Sequence, residues 1–517
     1  MERIKSVDAT IQSIYSKISR PFRTAFMAAV IFAIIAHLYM FMNKLPNYDD
    51  MGLNGFGATF RLGRWFLWVL GATAYHLDFV YSLPWVNGLC TLFFIALSAG
   101  LVADVLNVKS SVGNVMIGAA MAVYPSWTAT FFFMFTAPYY AISLFLAVFS
   151  MYLTVKGMRF IPLSVLLMAC SLGVYQAYLP FVATQYVIVI ILMITESQND
   201  YLKIIKSSFY FLGQLVAGGV VYFVITKVSL MATHQELTDY KGVASIGSLS
   251  GFSLSEFMGM LWNDFFGLSY NNHLELSYNY VTKFMYAFLF ILSGMLIIGM
   301  IVRFINERLY LKAAELAVMV FIFVIAINSI YIVCNDVYAL MRFSYVNMLI
   351  FPICLIDRYK GFLVKQRCKD IILQAEWVMT AVLAAGVISY CHFANAQYLS
   401  LNLGFEQASG FYGTIITQIK ELDGYEPEMK TAFIGYDNIQ DKSLYRNQVM
   451  KVFEMSGRDA VMAEAYSIEY FLKYYCGFDT ELVEADRDNS EIKQMPVYPL
   501  EGSIRIVDNV VVVKFSE

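Results

Sequence analysis

Two kinds of charged side chain lie close together in the stretch NKLPNYDDMGLNGFGATFRLGRW, residues 43–65. Asp49 and Asp50 are adjacent carboxylates, and Arg61 and Arg64 follow them in the same loop. One carboxylate of such a pair can accept a proton from a hydroxyl group, and their repulsion raises one of the two pKa values. An arginine forms two parallel charge-assisted hydrogen bonds to a phosphate. At a membrane surface, these residue types together would suit sugar transfer from a lipid-phosphate donor.

The same residues have a simpler interpretation. A pair of aspartates in an external loop is often a hydrated turn, and an arginine beside a tryptophan often anchors a helix end at the membrane interface. The spacing of Asp49, Asp50, Arg64 and Trp65 alone leaves both interpretations open.

The elements that must position this loop are membrane helices. The 517 residues are 59% hydrophobic and only 15% charged, and the mean hydropathy is +0.59. A membrane-spanning helix needs about 20 mostly apolar residues. On that criterion we predict a polytopic, mainly α bundle of about eleven transmembrane helices, near 22–42, 79–103, 112–131, 136–155, 160–178, 180–195, 208–230, 281–302, 313–333, 344–356 and 373–393.

The distribution of Lys and Arg predicts the orientation. These residues concentrate in alternate loops and at the N-terminus, which predicts a cytoplasmic N-terminus and places residues 43–65 outside. The apolar segment 65–77 is too short to span, so we expect an interfacial or re-entrant helix there. If it were a true span, every later loop would change sides and the charge bias would reverse.

Two further regions lie outside the predicted spans. Residues 231–280 carry aromatic residues at helical spacing, which predicts a helix lying in the outer interface. Residues 394–517 are less apolar, and we predict a small extracytoplasmic α/β domain there, after a membrane domain at 1–393. In it, 430–436 reads as a buried strand and 503–515 as two strands around a turn at Val507, Asp508 and Asn509.

Other polar residues are predicted to lie on the same external face. They are Tyr124 to Trp127, Tyr175, Gln176, Asn335, Asp336 and Arg342. A cavity lined by them and reached from both lipid and water suits an amphiphilic substrate.

The five histidines and seven cysteines show no metal-ligand spacing, so we expect no metal and no cofactor. The net charge of −3 gives no indication of a nucleic-acid partner.

The stretch NYDDMGLNGFGATFRLGRW resembles the signature of the bacterial O-antigen-converting glucosyltransferases of the serotype-conversion type II family. In that family an aspartate pair after the first membrane helix precedes a Gly-Arg-Trp. Weaker matches are SLGVYQAYLP (171–180), NAQYLSLN (395–402) and GSIRIVDNVVVVKFSE (502–517). The matches extend from the first membrane helix to the C-terminus.

The resemblance implies a GT-C type glycosyltransferase of the bacterial cytoplasmic membrane. It would move a hexose, usually glucose, from an undecaprenyl-phosphate sugar to a surface polysaccharide or lipid-linked acceptor on the outer side. Asp49 and Asp50 take the place of the acidic pair, one of them as general base. Gly63, Arg64 and Trp65 take the place of the Gly-Arg-Trp, with Arg64 on the donor phosphate and Trp65 stacking on the sugar or lipid head.

The remaining candidates have two interpretations each. Arg342, at an external helix mouth, is either a second phosphate contact or an interface anchor. Tyr175 and Gln176 either hydrogen-bond sugar hydroxyls or pack a helix end.

Two other functions stay open at this point. A transporter or flippase for a polyprenyl-linked sugar would also bind phosphate, but it is expected to carry ionisable residues in mid-membrane and paired internal repeats. A polysaccharide polymerase would use a large external loop, for which residues 231–280 are available.

Overall fold

A computed structural model describes residues 6–196, 201–238, 255, 258–259, 261–269, 276–332, 337–361, 366–435 and 465–516. Among them, eight helices are long and apolar enough to cross a membrane. They are Arg20–Met42, Pro84–Leu106, Ala137–Lys156, Gln176–Thr195, Tyr201–Thr233, Tyr280–Asn306, Tyr310–Ile327 and Lys369–Lys420. The chain is thus a helical membrane protein, as predicted.

The predicted count of eleven spans is not confirmed. Three of the apolar segments form shorter helices. They are Ser111–Val123 followed by Pro125–Phe131, Ile161–Leu172, and Asn347–Lys360. In the first of these, Tyr124 is extended because a proline follows it, and the helix restarts at Pro125. The GT-C architecture stays a prediction.

Small residues allow the first helices to pack closely. Ala25, Ala29 and Ala33 of Arg20–Met42 are fully buried. A side chain at Gly118, in Ser111–Val123, would collide with the carbonyl oxygen of Ala25. Close backbone approach of this kind replaces the hydrophobic effect as the main source of helix association in lipid.

Contacts between the described loops fall into the two groups that the charge pattern predicts. At one end, Thr238 N–H donates to the Arg61 carbonyl at 2.9 Å. At the opposite end, the Asp357 carboxylate accepts from Lys109 N–H at 3.0 Å, and Arg358 pairs with Glu196 at 2.9 Å. That the second end is cytoplasmic remains a prediction from the Lys and Arg bias.

The short apolar segment forms the helix Trp65–His76. The chain before it and the chain after it pair with each other: Gly55 N–H donates to the Val80 carbonyl at 3.3 Å, and Ser82 N–H donates to the Leu53 carbonyl at 3.0 Å. The chain therefore returns after this helix to the loop from which it departed.

The C-terminal part, residues 394–516, is called the tail below. It starts within the long helix Gln366–Lys420, which continues without a break through the boundary predicted at 393/394. A three-stranded sheet follows, with β1 (Lys430–Ile434), β2 (Ile504–Val507) and β3 (Val510–Lys514).

In this sheet β3 is central, parallel to β1 and antiparallel to β2. Asp508 and Asn509 form the predicted turn, both at positive φ, as a tight two-residue hairpin requires. Of residues 231–280, where an interfacial helix is expected, only 231–238, 255, 258–259, 261–269 and 276–280 are described.

Candidate active site

The two aspartates lie in a single short turn, residues 47–50, called the acid turn below. The Asn47 side-chain oxygen accepts hydrogen bonds from the backbone N–H of Asp49 at 3.0 Å and of Asp50 at 3.2 Å. This side chain closes Tyr48–Asp50 into a single 3-10 turn. Although adjacent in sequence, the two carboxylates enter different surroundings.

Asp50 is buried, with 2% of its surface exposed. The Lys44 ammonium lies 3.3 Å from its carboxylate and donates a hydrogen bond to the Ser82 hydroxyl at 3.1 Å. Burial raises the pKa of Asp50 to about 6, although the Lys44 charge opposes this shift. Burial also lowers the pKa of Lys44. The two groups form a partly buried ion pair, and the hydrogen bond from Lys44 to Ser82 joins it to the segment preceding helix Pro84–Leu106.

Asp49 is exposed, and its contact comes from the tail. The Tyr466 hydroxyl donates a hydrogen bond to Asp49 Oδ1 at 2.5 Å. Tyr466 belongs to the helix Ala465–Tyr474, which we call the tail helix. Next to the acid turn, Met51 is completely buried in the tail core with Phe471 and neighbouring residues. The acid turn therefore lies between the membrane bundle and the tail.

Gly63 ends the second turn of this loop, residues 59–65, called the arginine turn below. Its φ is +69°, and a Cβ there would lie 2.5 Å from the Tyr222 hydroxyl. Gln176 fastens the turn by donating to the Leu62 carbonyl at 3.1 Å and to the Tyr222 hydroxyl at 2.9 Å. Only glycine combines this backbone conformation with so close an approach.

Arg64 lies on two stacked tyrosines. Its Nη1 donates to the Tyr140 hydroxyl at 3.1 Å, and its guanidinium carbon lies 5.8 Å from the Tyr140 ring centre and 5.6 Å from that of Tyr175. The two rings are parallel, with centres 4.2 Å apart. Within the described part of the chain no carboxylate pairs with Arg64, and its Nε is buried without a hydrogen bond. A half-buried cation with unused donors is suited to an anionic ligand.

Trp65 begins the short helix and packs against Gly173. A Cβ on Gly173 would lie 2.6 Å from the Trp65 ring. The Gly173 carbonyl accepts from the N–H groups of Phe66 at 2.8 Å and Leu67 at 3.0 Å. This contact satisfies two donors that a helix start leaves unpaired and explains how the segment around Tyr175 positions the Gly-Arg-Trp.

The other two predicted arginines do not lie on the stacked tyrosines. Arg61 is exposed and contributes its backbone carbonyl to Thr238. Arg342 is half-buried after the turn Ala339–Met341. Asn335 and Asp336 lie outside the described residues.

The structure thus gathers the predicted residues into two clusters. Arg64, Trp65, Tyr175 and Gln176 form one, and Asp49 and Asp50 form the other. No ion pair joins either aspartate to Arg61, Arg64 or Arg342 in the part of the chain that the structure describes.

Several residues of the site were not predicted. Lys44 stands six residues before Asp50, and a cation so close to an acid pair is a usable signal. Tyr140 and Tyr222 carry no sequence signal, since apolar helices contain many tyrosines.

No three His, Cys, Asp or Glu side chains converge in the described ranges, and the absence of a metal stays a prediction.

A sequence model of the family described as Glucosyl transferase GtrII matches residues 38–353. The chain belongs to this family. The match includes the acid turn, the arginine turn, Tyr175, Gln176 and Arg342, and it ends before the tail. This GtrII family member is therefore a membrane glycosyltransferase, and the resemblance found in the sequence is confirmed. No curated protein and no solved structure matches the chain significantly.

Proposed function

We propose that this GtrII family member transfers a hexose from an undecaprenyl-phosphate sugar to a cell-surface or O-antigen polysaccharide. The description of the family as glucosyl transferases favours glucose as the hexose. The reaction takes place at the outer face of the bacterial cytoplasmic membrane. One observation carries the proposal: a guanidinium without a carboxylate partner in the described chain lies on two tyrosines, in the same loop as an exposed carboxylate.

Arg64 is the proposed ligand of the donor phosphate. Tyr140 and Tyr175 orient its planar fork and shield one side from water, which strengthens its attraction for an anion. In the reaction the phosphate becomes the leaving group and gains charge, so a fixed cation stabilises the transition state more than the ground state.

Asp49 is the proposed general base. An acceptor hydroxyl must come within hydrogen-bonding distance of the base. The accessibility of a carboxylate is therefore a stronger criterion for choosing the base than its pKa. Asp49 is exposed, whereas Asp50 is buried against Lys44. Asp50 has the raised pKa that would suit a base, but we assign it the role of fixing the turn through its ion pair.

The chemical step follows from these roles. Asp49 accepts the proton of the acceptor hydroxyl, and the hydroxyl oxygen forms a bond to the anomeric carbon of the sugar. The bond between that carbon and the phosphate oxygen breaks, and its electron pair stays on the lipid phosphate beside Arg64. Asp49 later releases its proton to water. A direct displacement of this kind inverts the anomeric centre.

The other candidates have supporting roles in this proposal. Gln176 donates a hydrogen bond to the Leu62 carbonyl and so positions the arginine turn. Tyr175 is one of the two stacked rings on which the Arg64 guanidinium lies. Trp65 packs at the helix start and contacts the lipid head with its remaining exposed surface. Arg342 and Arg61 are proposed as outer contacts for phosphate or headgroup.

A transfer assay tests the proposal. The purified protein in lipid nanodiscs is given undecaprenyl-phosphate glucose labelled in the sugar, together with a lipid-linked polysaccharide acceptor. We expect the label to become covalently attached to the acceptor without a change in the number of repeat units. Label that crosses a sealed vesicle membrane without becoming attached would support a flippase instead, and acceptor chains that gain repeat units would support a polymerase.

A further inference from the structure

The tail helix carries three exposed tyrosines on one face. Tyr466, Tyr470 and Tyr474 are 45%, 42% and 45% exposed. They are spaced four residues apart, so they lie one above the other along the helix. The rings of Tyr470 and Tyr474 are nearly parallel, with centres 5.9 Å apart. We call these three residues the tyrosine ladder.

The opposite face of the tail helix fixes the position of the ladder. Ile468, Phe471 and Leu472 are buried in the tail core, together with Met51 of the loop next to the acid turn. The helix is therefore held on both the tail and the acid turn, and its exposed face cannot rotate inward without breaking this core. Most proteins expose single apolar residues that are scattered over the surface. Three neighbouring aromatic rings on a fixed surface form a larger apolar patch than such single residues do.

The ladder leads to the proposed base. Its first member, Tyr466, donates a hydrogen bond to Asp49, and the ring of its second member, Tyr470, lies 3.8 Å from the Cβ position of Gly52. Because a helix rises about 6 Å over four residues, the rings follow one another at a spacing comparable with the length of a sugar unit in a chain.

Charged residues beside the ladder favour water over lipid as its surroundings. Lys473 pairs with Asp479 at 2.9 Å, and Glu469 lies between the first two rings in sequence. Charged side chains are costly inside a bilayer. Tyrosine combines a flat apolar face with a polar hydroxyl, and a sugar ring offers the matching surfaces, namely apolar C–H faces and hydroxyl edges.

We propose that the tyrosine ladder binds the acceptor polysaccharide and guides one of its hydroxyl groups to Asp49. This inference rests on the proposed function and adds the location of the acceptor. The tyrosine ladder lies in the tail, beyond residue 353, where the family match ends. Sugar units stack on Tyr474 and Tyr470, and the unit to be modified reaches the acid turn beside Tyr466.

Kinetics with acceptors of two lengths test this proposal. The acceptors are a single lipid-linked sugar and a lipid-linked long chain from the bacterium that carries the gene. For the double variant Tyr470→Ala/Tyr474→Ala we expect the KM for the long chain to rise about tenfold, the change that roughly 1.4 kcal/mol of binding represents. The KM for the single unit should change much less, since that acceptor does not reach the outer rings.

Two matched variants control for the fold. Tyr470→Phe/Tyr474→Phe keeps both rings and should bind the long chain nearly as well as the wild type. Leu500→Ala removes a side chain that is 63% exposed elsewhere in the tail and should leave both KM values unchanged. An unchanged KM for the long chain in the double alanine variant would overturn the proposal. So would a rise in the KM for the lipid donor that is independent of acceptor length, because that result would place the ladder against lipid.

A binding experiment separates this inference from the proposed function. Delipidated long-chain polysaccharide is titrated into the full-length protein by calorimetry, without donor. We expect binding by the wild type and about tenfold weaker binding by the double alanine variant. Equal binding by both proteins would disprove the ladder even if transfer occurs. Absence of transfer by the wild type, with ladder-dependent binding intact, would disprove the proposed reaction alone.

Discussion

The acid turn and the arginine turn belong to one loop, yet different parts of the chain support them. The acid turn depends on the tail: Asp49 accepts a hydrogen bond from Tyr466, and the neighbouring Met51 is buried in the tail core. The arginine turn depends on the bundle: Gly63 fits against Tyr222, and Arg64 rests on Tyr140 and Tyr175.

This difference indicates how the site is assembled. The proposed phosphate ligand is fixed by membrane helices, as suits a donor that stays in the membrane. The proposed base is fixed between the bundle and the tail, as suits an acceptor that arrives from the aqueous side. Changes in the two turns should therefore impair different parts of the reaction: proton transfer at the acid turn and stabilisation of the leaving phosphate at the arginine turn.

The largest effect is expected at the acid turn. Asp49→Asn removes the proposed base and should lower kcat about 10²- to 10⁴-fold, the usual contribution of a general base. Transfer assays on purified protein measure this change. Asp78→Asn is the control, since it removes an exposed carboxylate at a nearby positive-φ position that asparagine tolerates. Full activity of Asp49→Asn would refute the assignment.

At the arginine turn, Arg64→Ala should lower kcat about 10²- to 10³-fold, comparable with the loss of one preorganised donor at a developing charge. Arg64→Lys should recover only part of the rate, because lysine keeps the charge but not the planar fork. Arg61→Ala removes the exposed arginine of the same turn, which is proposed only as an outer contact, and should have a much smaller effect. Equal defects in Arg61→Ala and Arg64→Ala would indicate a general surface effect of positive charge.

Gly63→Ala should disturb the arginine turn and leave the acid turn intact. A residue with a Cβ at φ +69° costs about 1–3 kcal/mol, and the methyl group would collide with the Tyr222 hydroxyl. We expect a lower apparent melting temperature of the purified protein and a loss of transfer. Gly213→Ala is the control because a Cβ there meets no atom within 4 Å, and in a helix it should stabilise by about 0.5–1 kcal/mol. A normal melting temperature for Gly63→Ala would show that the turn tolerates a side chain.

The smallest effect concerns pH and the acid turn alone. Transfer should decline as pH falls through about 6, the pKa of Asp50, because protonation of Asp50 releases Lys44 from the turn. The Lys44 charge lowers that pKa, so Lys44→Met should raise it and move the acidic limb of the pH–rate profile to higher pH. Lys44→Arg keeps the charge and should leave the limb near its original position. An unshifted limb in Lys44→Met would exclude Asp50 as its source.

The candidate residues of the loop could be recognised from sequence because they are close together in the chain, and their chemical roles stay a prediction. Paired aspartates and the Gly-Arg-Trp stand directly after an apolar span, and the glycine signals a positive φ. The tail hairpin was predictable for the same reason, since Asp508 and Asn509 tolerate the turn conformation. The grouping of loops at two ends followed from the distribution of Lys and Arg.

Other features were not predictable because they depend on contacts distant in sequence. The bond from Tyr466 to Asp49 joins residues 417 positions apart, and nothing around Tyr466 indicates an acidic partner. The predicted eleven spans are not confirmed, because hydropathy alone does not distinguish a crossing helix from a short buried one. Ile161–Leu172 is apolar but only 12 residues long.

The most direct test of the account is a cryo-EM structure of the protein in nanodiscs with undecaprenyl-phosphate glucose. We predict density for the phosphate within hydrogen-bonding distance of the Arg64 guanidinium, with the glucose directed towards Asp49. Phosphate density at the opposite end of the bundle, near Arg358, or an Arg64 that makes no contact with the bound donor, would contradict it.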